Sequence, residues 1–519
     1  MECISRRAFT VAGVATTLVA GKALAAEPSD EWNEEFDVIV VGAGIAGMTA
    51  AIAAAQADSG ASVLLAEKCE QPSGNSPYCY GDSIYTNDAD AFFVYLQQMC
   101  DGVTPDDVLK AFAEHVRDDK DWLVSIGANE EEMDIQEPGT ADNPAVCDDC
   151  EYPEFECSWS DGLFSVGHSK LVDVKGPNHI HVFLDETLGN YPNITYRTLA
   201  PMEDLVQDES GRVLGAVIDG KRVKANRGVI LCCGGFESDP VMLEDYAGKG
   251  GAIPAAGKGN TGDGIRAAIR AGADLWHMAC VGSWLAPRDL ANTMFTNHVL
   301  RTRNYKRYGI TVAKNGRRFY MDWDGHKAFT NRDPEADVSV QVGWRHGHTQ
   351  FGGEWFTIPM PNEGWFVFDQ AGLEAGAIDP EMSSDPAADG FCYTADTIEE
   401  LAAQMGVPAE ELSETVKVWN SYCEQGKDLS FYRPADTLTP IAEPPFYAQL
   451  CVSAFLNTDG GPRRDAKARV LDTHGDSIPG LYSAGELGSV WGKLYQGSGN
   501  VAECLAFGRI AAQSAINQE

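Results

Sequence analysis

Positive charge is scarce in this sequence: 39 Lys and Arg stand against 77 Asp and Glu in 519 residues, a formal net charge of −38. That balance argues against a nucleic-acid partner and against electrostatic attachment to anionic lipid, both of which need clustered cations. Repeats of about 20 to 50 residues and low-complexity tracts are missing, which excludes a solenoid. No Cys-x-x-Cys-His run occurs, so covalent haem of the c type is excluded. No Ser, His and Asp constellation suggests hydrolysis. The apolar stretch Val11 to Ala20 is shorter than the roughly 20 residues of a membrane span. What remains is ample: 44% hydrophobic and 22% charged residues over this length supply a buried core and at least two domains.

The strongest positive feature is Phe36 to Gly47, FDVIVVGAGIAG. A β-branched run ends in Gly-x-Gly-x-x-Gly at Gly42, Gly44 and Gly47, and an alanine-rich helical stretch follows. The next strand, SVLLAEK, is closed by Glu67. This pattern opens a dinucleotide-binding fold. Gly42 permits the tight turn, Gly44 lets the backbone approach a pyrophosphate, Gly47 lets helix and strand pack closely, and the helix N-terminus faces the phosphates. Glu67 can accept from a ribose 2′-hydroxyl. Strand, helix and acid in that order make the glycine triplet specific.

Ahead of this fold, Ser5-Arg6-Arg7-Ala8-Phe9, the modest apolar run and Ala23-Leu24-Ala25 follow the order of a twin-arginine export signal. The sequence therefore predicts a signal peptide over residues 1–26 with cleavage near Ala25. It predicts a protein working outside the cytoplasm or at the cell envelope. The alternative is a basic arm on a cytosolic enzyme. The twin-arginine route carries folded proteins, which suits a tightly held cofactor inserted before export.

The 14 cysteines raise the question of a metal. Cys147-x-x-Cys150 followed by Cys157 has a spacing that could hold part of an iron–sulfur cluster, but no fourth ligand stands at a diagnostic spacing. A disulfide or free thiols in an acidic loop is the competing reading. His346 and His348 in HGHTQF are two apart without an acid or cysteine nearby, which more often marks a polar loop than a metal site. No metal ligand set is assigned.

Along the chain, Asp106 to Ile126 reads as an amphipathic helix between Thr104-Pro105 and Gly127, and Glu130 to Cys157 as an acidic surface excursion. Thr195 to Leu205, Gly215 to Ile218 and Gly228 to Cys232 read as strands. Ile265 to Ala271, Thr397 to Cys423 and Val501 to Ile516 read as helices, the second capped at Asp396-Thr397. From about Trp284 aromatics, Arg and His cluster. Trp344, Trp355, Phe356, Trp365 and Phe366 form either an apolar substrate mouth or an aromatic core. Pro444-Pro445-Phe446-Tyr447-Ala448 marks the return to the first domain.

With VVGAGIAG and Glu67, Gly74-Asn75-Ser76, VILCCGGF, TGDG, NGRRF at Asn315 to Phe319, PPFYA, GLYSAGE and GSGN in order, the chain resembles the flavoprotein family of soluble fumarate reductases, urocanate reductases and 3-ketosteroid dehydrogenases from Phe36 to Glu519. The resemblance implies an α/β fold: a Rossmann-like FAD-binding domain over residues 36–284 and 445–519, with an α+β capping domain inserted over 285–444. It implies FAD held by Gly42, Ala43, Gly44, Ala46 and Gly47 of the first turn, and by Glu67, Lys68, Asn75, Ser76 and Gly81. Gly234, Gly235, Asp263, Gly485, Glu486, Ser498, Asn500 and Val501 complete that set. The N-terminus of the last helix would then favour an anionic reduced flavin.

The chain departs from fumarate reductases at their dicarboxylate clamps. Asn457-Thr458-Asp459-Gly460-Gly461 stands where the family has His-Thr-x-Gly-Gly, and Gly492-Lys493-Leu494-Tyr495-Gln496 where an arginine precedes the final glycine turn. A gapless continuation from Arg318-Phe319 puts His326 at the position of the family's proton-delivering arginine, whereas a small insertion puts Arg332 there. Tyr495 precedes Gly499 by the interval that separates a catalytic tyrosine from a backbone-donor glycine in 3-ketosteroid dehydrogenases. That pair implies a carbonyl held by the Tyr495 hydroxyl and the Gly499 N–H while hydride reaches a C=C bond. The competing reading is an aromatic packed over the flavin. Gut actinobacterial members of the family reduce enoates and lactones, cardiac glycosides among them. No nicotinamide site is evident, so electrons are expected from a membrane-linked cytochrome or quinol system.

Overall fold

The computed structural model describes residues 31–79, 81–145, 150–166, 179–288, 308–320, 322, 351–352, 357–358, 361–378 and 383–518. His326, Arg332, Cys147, His346, His348, Trp344, Trp355, Phe356 and the N-terminal signal motif lie outside the described residues.

The strand Glu34–Val41 is the centre of the main sheet. It pairs in parallel with Val63–Ala66 on one side and Lys221–Leu231 on the other. Ile194–Arg197 extends the first side and Ser477–Ser483 the second, both in parallel. Arg469–Leu471 closes an edge antiparallel, and the hairpin of Met202–Gln207 with Val213–Ile218 pairs onto Lys221–Leu231. A parallel sheet is covered on both faces, so its strands are apolar throughout rather than alternating. Val38, Ile39 and Val40 are all fully buried. Each such side chain contributes about 1.5–3 kcal/mol on leaving water.

One covering face is built from small residues. The helix Ile45–Ala57, rich in alanine, packs on the final helix Gly499–Asn517. A Cβ on Gly508 of the latter would stand 2.9 Å from the Ala46 carbonyl oxygen, so a glycine there permits the contact. The two helix N-termini thus reach the same end of the sheet, which is where the glycine-rich loop lies.

A second, six-stranded sheet is organised around the long strand Phe446–Thr458. Val281–Pro287, Glu363–Asp369 and Tyr393–Ala395 pair with it antiparallel, Ile253–Pro254 in parallel, and Ile310–Val312 adds to Glu363–Asp369. Its strands come from both sides of the sequence positions 284/285 and 444/445. Trp365 and Phe366 are buried in this sheet among Leu401, Trp419, Phe368 and Tyr447, so the aromatic-core reading holds for these two.

Three local expectations are corrected. The stretch Thr195 to Leu205 forms two strands, separated where Leu199 takes a left-handed φ of +53°. Thr397 to Cys423 forms two helices, Ile398–Met405 and Ala409–Gln425, because Gly406 ends the first at φ +71° and Pro408 caps the second; Thr397 does cap, its Oγ1 accepting from Glu400 N–H at 3.2 Å. The segment from Glu130 is not wholly a surface excursion: Asp134–Gln136 pairs with Gly162–Ser165, and Cys150, Glu151 and Tyr152 are buried.

Candidate functional site

The loop after the first strand is shaped by contacts that only glycine tolerates. Gly42 has φ +98°, and a Cβ there would lie 2.4 Å from the Cys232 carbonyl oxygen. At Gly47 it would lie 1.7 Å from the Gly42 carbonyl oxygen. The turn is therefore pinned between two strand ends and the helix behind it. Glu67, past the next strand, reaches back into this turn: its Oε2 accepts from Ala43 N–H at 3.1 Å and its Oε1 from Cys69 N–H at 3.0 Å. The Ser76 hydroxyl accepts from Ile45 N–H, the first of the helix, at 3.0 Å.

These residues open on a partly enclosed cleft at the end of the main sheet. Of the residues expected to hold FAD, Gly42, Gly44, Ala46, Glu67, Lys68, Asn75, Ser76, Gly234, Asp263 and Glu486 line it. Lys68 meets Asp263 at 2.6 Å and the Thr261 hydroxyl at 2.7 Å. Gly47, Gly235 and Gly485 stand behind the wall. A Cβ on Gly235 would be 2.0 Å from Thr458 Oγ1, and one on Gly485, at φ +72°, would press Ala46 and Cys504. Gly81, at φ +87°, leads into the strand Asp82–Tyr85. This cradle fits FAD: a flat turn without side chains at a helix N-terminus for the pyrophosphate, and a carboxylate at the neighbouring strand end for the ribose.

Beside the cleft lies a group of buried carboxylates that the motifs alone do not reveal. Glu237, directly after VILCCGGF, accepts from Asn75 Nδ2 at 2.6 Å, Asn260 Nδ2 at 2.5 Å and Thr458 Oγ1 at 3.0 Å. The Asn75 amide also reaches Glu486 at 3.2 Å. Asn500 Nδ2 bridges Asp459 at 3.3 Å and Glu486 at 3.5 Å, and Asn457 Nδ2 donates to Asp459 at 3.1 Å. Burial pushes the Glu237 carboxyl up to about 7 against these donors, and lifts Glu486 and Asp459 well above the usual carboxylate range. Glu503 is paired with Arg464, both fully buried. Arg464 also donates to the Gly485 carbonyl at 3.2 Å, and Glu503 accepts from Val490 N–H at 2.9 Å. This pair fixes the turn after GLYSAGE.

Tyr495 is buried at the start of the final helix, and its oxygen accepts from Asn500 N–H at 3.2 Å. The phenol thus caps the helix that Ser498, in a left-handed conformation at φ +66°, does not cap with its own side chain. Burial raises the Tyr495 pKa well above its ordinary value, and the Asn500 N–H opposes that rise. The expected role of Gly499 is corrected: its N–H donates to the Gln496 carbonyl at 2.9 Å, closing the turn. Gly499 serves packing instead, since a Cβ there would stand 2.3 Å from the Trp491 ring, which meets Tyr495 edge-on at 5.4 Å. The N–H groups of Asn500 and Val501 are engaged by Tyr495 and by the Ser498 carbonyl. Among the described residues every cysteine is a free thiol, and no three His, Cys, Asp or Glu are grouped to hold a metal ion. Cys150 instead meets the Tyr95 hydroxyl at 3.5 Å.

The family model described as FAD binding domain matches residues 37–501. Digoxin reductase of Eggerthella lenta is 26% identical over 94% of this chain and 88% of its own length. Fumarate reductase (cytochrome) of Shewanella frigidimarina is 28% identical over 95% of this chain and 78% of its own. The fold is shared with the crystal structure of 3-ketosteroid Δ1-dehydrogenase from Sterolibacterium denitrificans at a TM-score of 0.71, with 24% identity over 94% of this chain and 100% of the other. The match begins in the first strand and ends in the last helix, so it takes in both halves of the cleft: the chain belongs to the FAD binding domain family, as an FAD-dependent oxidoreductase acting on CH–CH groups.

Proposed function

We propose that this chain is an exported reductase that saturates the C=C bond of an α,β-unsaturated carbonyl compound, an enoate, enone or lactone, as a terminal electron acceptor. The observation that carries the reading is the Tyr495 hydroxyl at the N-terminus of the final helix, with Asn500 N–H on its oxygen. FAD, when bound, supplies the hydride. Gly42 and Gly44, with Gly47 letting the helix pack behind them, would hold its pyrophosphate and Glu67 its ribose.

Tyr495 supplies the electrophilic half. Burial keeps the phenol protonated, and the Asn500 N–H on its oxygen withdraws charge from it, so the O–H can polarise a carbonyl as negative charge develops there. The surroundings favour an acceptor without two carboxylates, because a desolvated dicarboxylate needs cationic partners. Basic side chains described around this cleft are committed, Lys68 to Asp263 among them. Arg464 is paired with Glu503, and burial drops the His277 pKa to about 4, leaving its ring neutral while it contacts the Ser489 carbonyl at 2.7 Å. Asp459, in the motif where the family's clamp histidine has been replaced, adds an acid. The similarity to a digoxin reductase along nearly the whole chain supports the same class of acceptor.

Electrons arrive in this reading from a membrane-linked cytochrome or quinol system, supported by the likeness to a cytochrome-type fumarate reductase and by the twin-arginine motif. A second reading, desaturation of a ketosteroid, rests on the same Tyr495 hydroxyl, which would hold the ketone oxygen. Anaerobic protein loaded with FAD and given reduced methyl viologen separates these outcomes. Consumption of cyclohex-2-enone or furan-2(5H)-one, but not fumarate, is expected. Fumarate as the sole acceptor, dehydrogenation of saturated ketones alone when an oxidised dye is offered in place of the reduced viologen, or exchange with redox dyes alone would each overturn the proposal, the last pointing to a flavin electron carrier.

A further inference from the structure

The acidic segment that precedes Gly162–Ser165 reaches the turn that carries Tyr495. Glu151 is 4% exposed, and its Oε1 accepts from Gly497 N–H at 3.1 Å. Its own N–H donates to Gln496 Oε1 at 3.1 Å, and the same oxygen accepts the Tyr95 hydroxyl proton at 2.9 Å. Gln496 and Tyr95 are buried as well. The contact depends on glycine, because a Cβ on Gly497 would lie 2.7 Å from Glu151 Oε1. Two consecutive residues, Gln496 and Gly497, are therefore tied by opposite ends of Glu151 and braced by the helix Ala89–Cys100 through Tyr95.

These ties sit between the two atoms whose relation matters. Tyr495 is the residue before the tied pair, and Asn500, whose N–H meets the Tyr495 oxygen, is three residues after it. Between them Ser498 holds a left-handed conformation with no side-chain cap, and the bond from Gly499 N–H to the Gln496 carbonyl closes the turn on the same residue whose side chain Glu151 N–H meets. A backbone N–H held by a carboxylate is among the stronger neutral-to-charge hydrogen bonds.

We propose that Glu151 is a positioning residue for Tyr495: by holding Gly497 and Gln496 it sets the turn that keeps the Tyr495 hydroxyl against Asn500 N–H. This rests on the reading of Tyr495 as the group acting on the acceptor carbonyl. Glu151 acts through Tyr495, so its effect disappears when the hydroxyl is gone.

The test uses the full chain loaded with FAD and four variants: E151A, E151Q, Y495F and E151A with Y495F. Turnover of cyclohex-2-enone by E151A should fall about tenfold to a hundredfold, the size expected for a displaced acting group. FAD content should be unchanged. E151Q should restore most of the rate, because an amide oxygen still accepts from Gly497 N–H. The double variant should be no slower than Y495F alone, whereas a merely structural role would make the two losses multiply. Multiplying losses, or E151A turning over at the wild-type rate, would overturn the proposal. If E151A takes up no FAD, E151D, which withdraws the carboxylate by one methylene, takes its place under the same criteria. If wild type reduces no enone or lactone, the functional reading fails separately. Amide hydrogen exchange across residues 494–501 then decides for Glu151: faster exchange in E151A but not in E151Q supports it, and unchanged exchange refutes it.

Discussion

Replacing Glu237 with Gln should make the protein more stable at pH 8 than at pH 5 relative to wild type. Glu237 is fully buried, and burial raises its pKa from 4.5 to about 7 although Asn75, Asn260 and Thr458 all donate to it. A carboxyl whose pKa is higher in the folded than in the unfolded chain binds its proton more tightly when folded. Its contribution is present in full below pH 4.5 and is lost as the pH rises through 7. At about 1.4 kcal/mol per pH unit, the interval from 4.5 to 7 corresponds to about 3 kcal/mol. Gln has nearly the same shape and no proton to lose. Urea titrations of the FAD-free chain, followed by tryptophan fluorescence at pH 5, 6, 7 and 8, should show the E237Q advantage growing by about 2 to 3 kcal/mol across the series, part of the effect being already present at pH 5. A difference between variant and wild type that does not change with pH would refute the reasoning, because it would mean that the three donors outweigh burial and hold Glu237 ionised throughout.

Gly47→Ala places a methyl 1.7 Å from the Gly42 carbonyl oxygen, so the turn must open and the purified variant should lack the flavin absorption bands while wild type carries them. Arg6→Lys together with Arg7→Lys should leave the full-length chain in the cytoplasm with its FAD, as read by cell fractionation and immunoblotting; unchanged export would remove the twin-arginine reading.

The parts of the fold that were legible in the sequence are those written in local patterns. FDVIVVGAGIAG encodes strand, turn and helix within twelve residues, and Glu67 lies one strand further on, so the main cofactor cradle follows from spacing and from the steric needs of Gly42 and Gly47. Gly406 and Pro408 are an equally local stop signal, masked by the helical periodicity on either side of them. Leu199 left no such trace, since a leucine in the left-handed region is set by its surroundings rather than by its type. The carboxylate group was hidden for a different reason. Glu237, Asp459, Glu486 and Glu503 come from four separate segments, and only their convergence reveals a shared burial. Glu151 and Gly497 are 346 positions apart, and an acidic stretch broken by Pro and Gly gives no sign that one of its carboxylates turns inward. The interval between Tyr495 and Gly499 was visible, yet it could not distinguish an N–H aimed at a ligand from one that closes the turn on Gln496.

The most direct measurement of the central claim is the single-turnover reoxidation of anaerobically reduced protein by cyclohex-2-enone, comparing wild type with Tyr495→Phe. The substitution keeps the ring against Trp491 and removes the oxygen that Asn500 N–H contacts. Loss of a proton donor predicts a rate lower by about a hundredfold or more with FAD still bound. A Y495F rate within about threefold of wild type would contradict the account, and would leave Tyr495 as packing with the proton supplied from elsewhere.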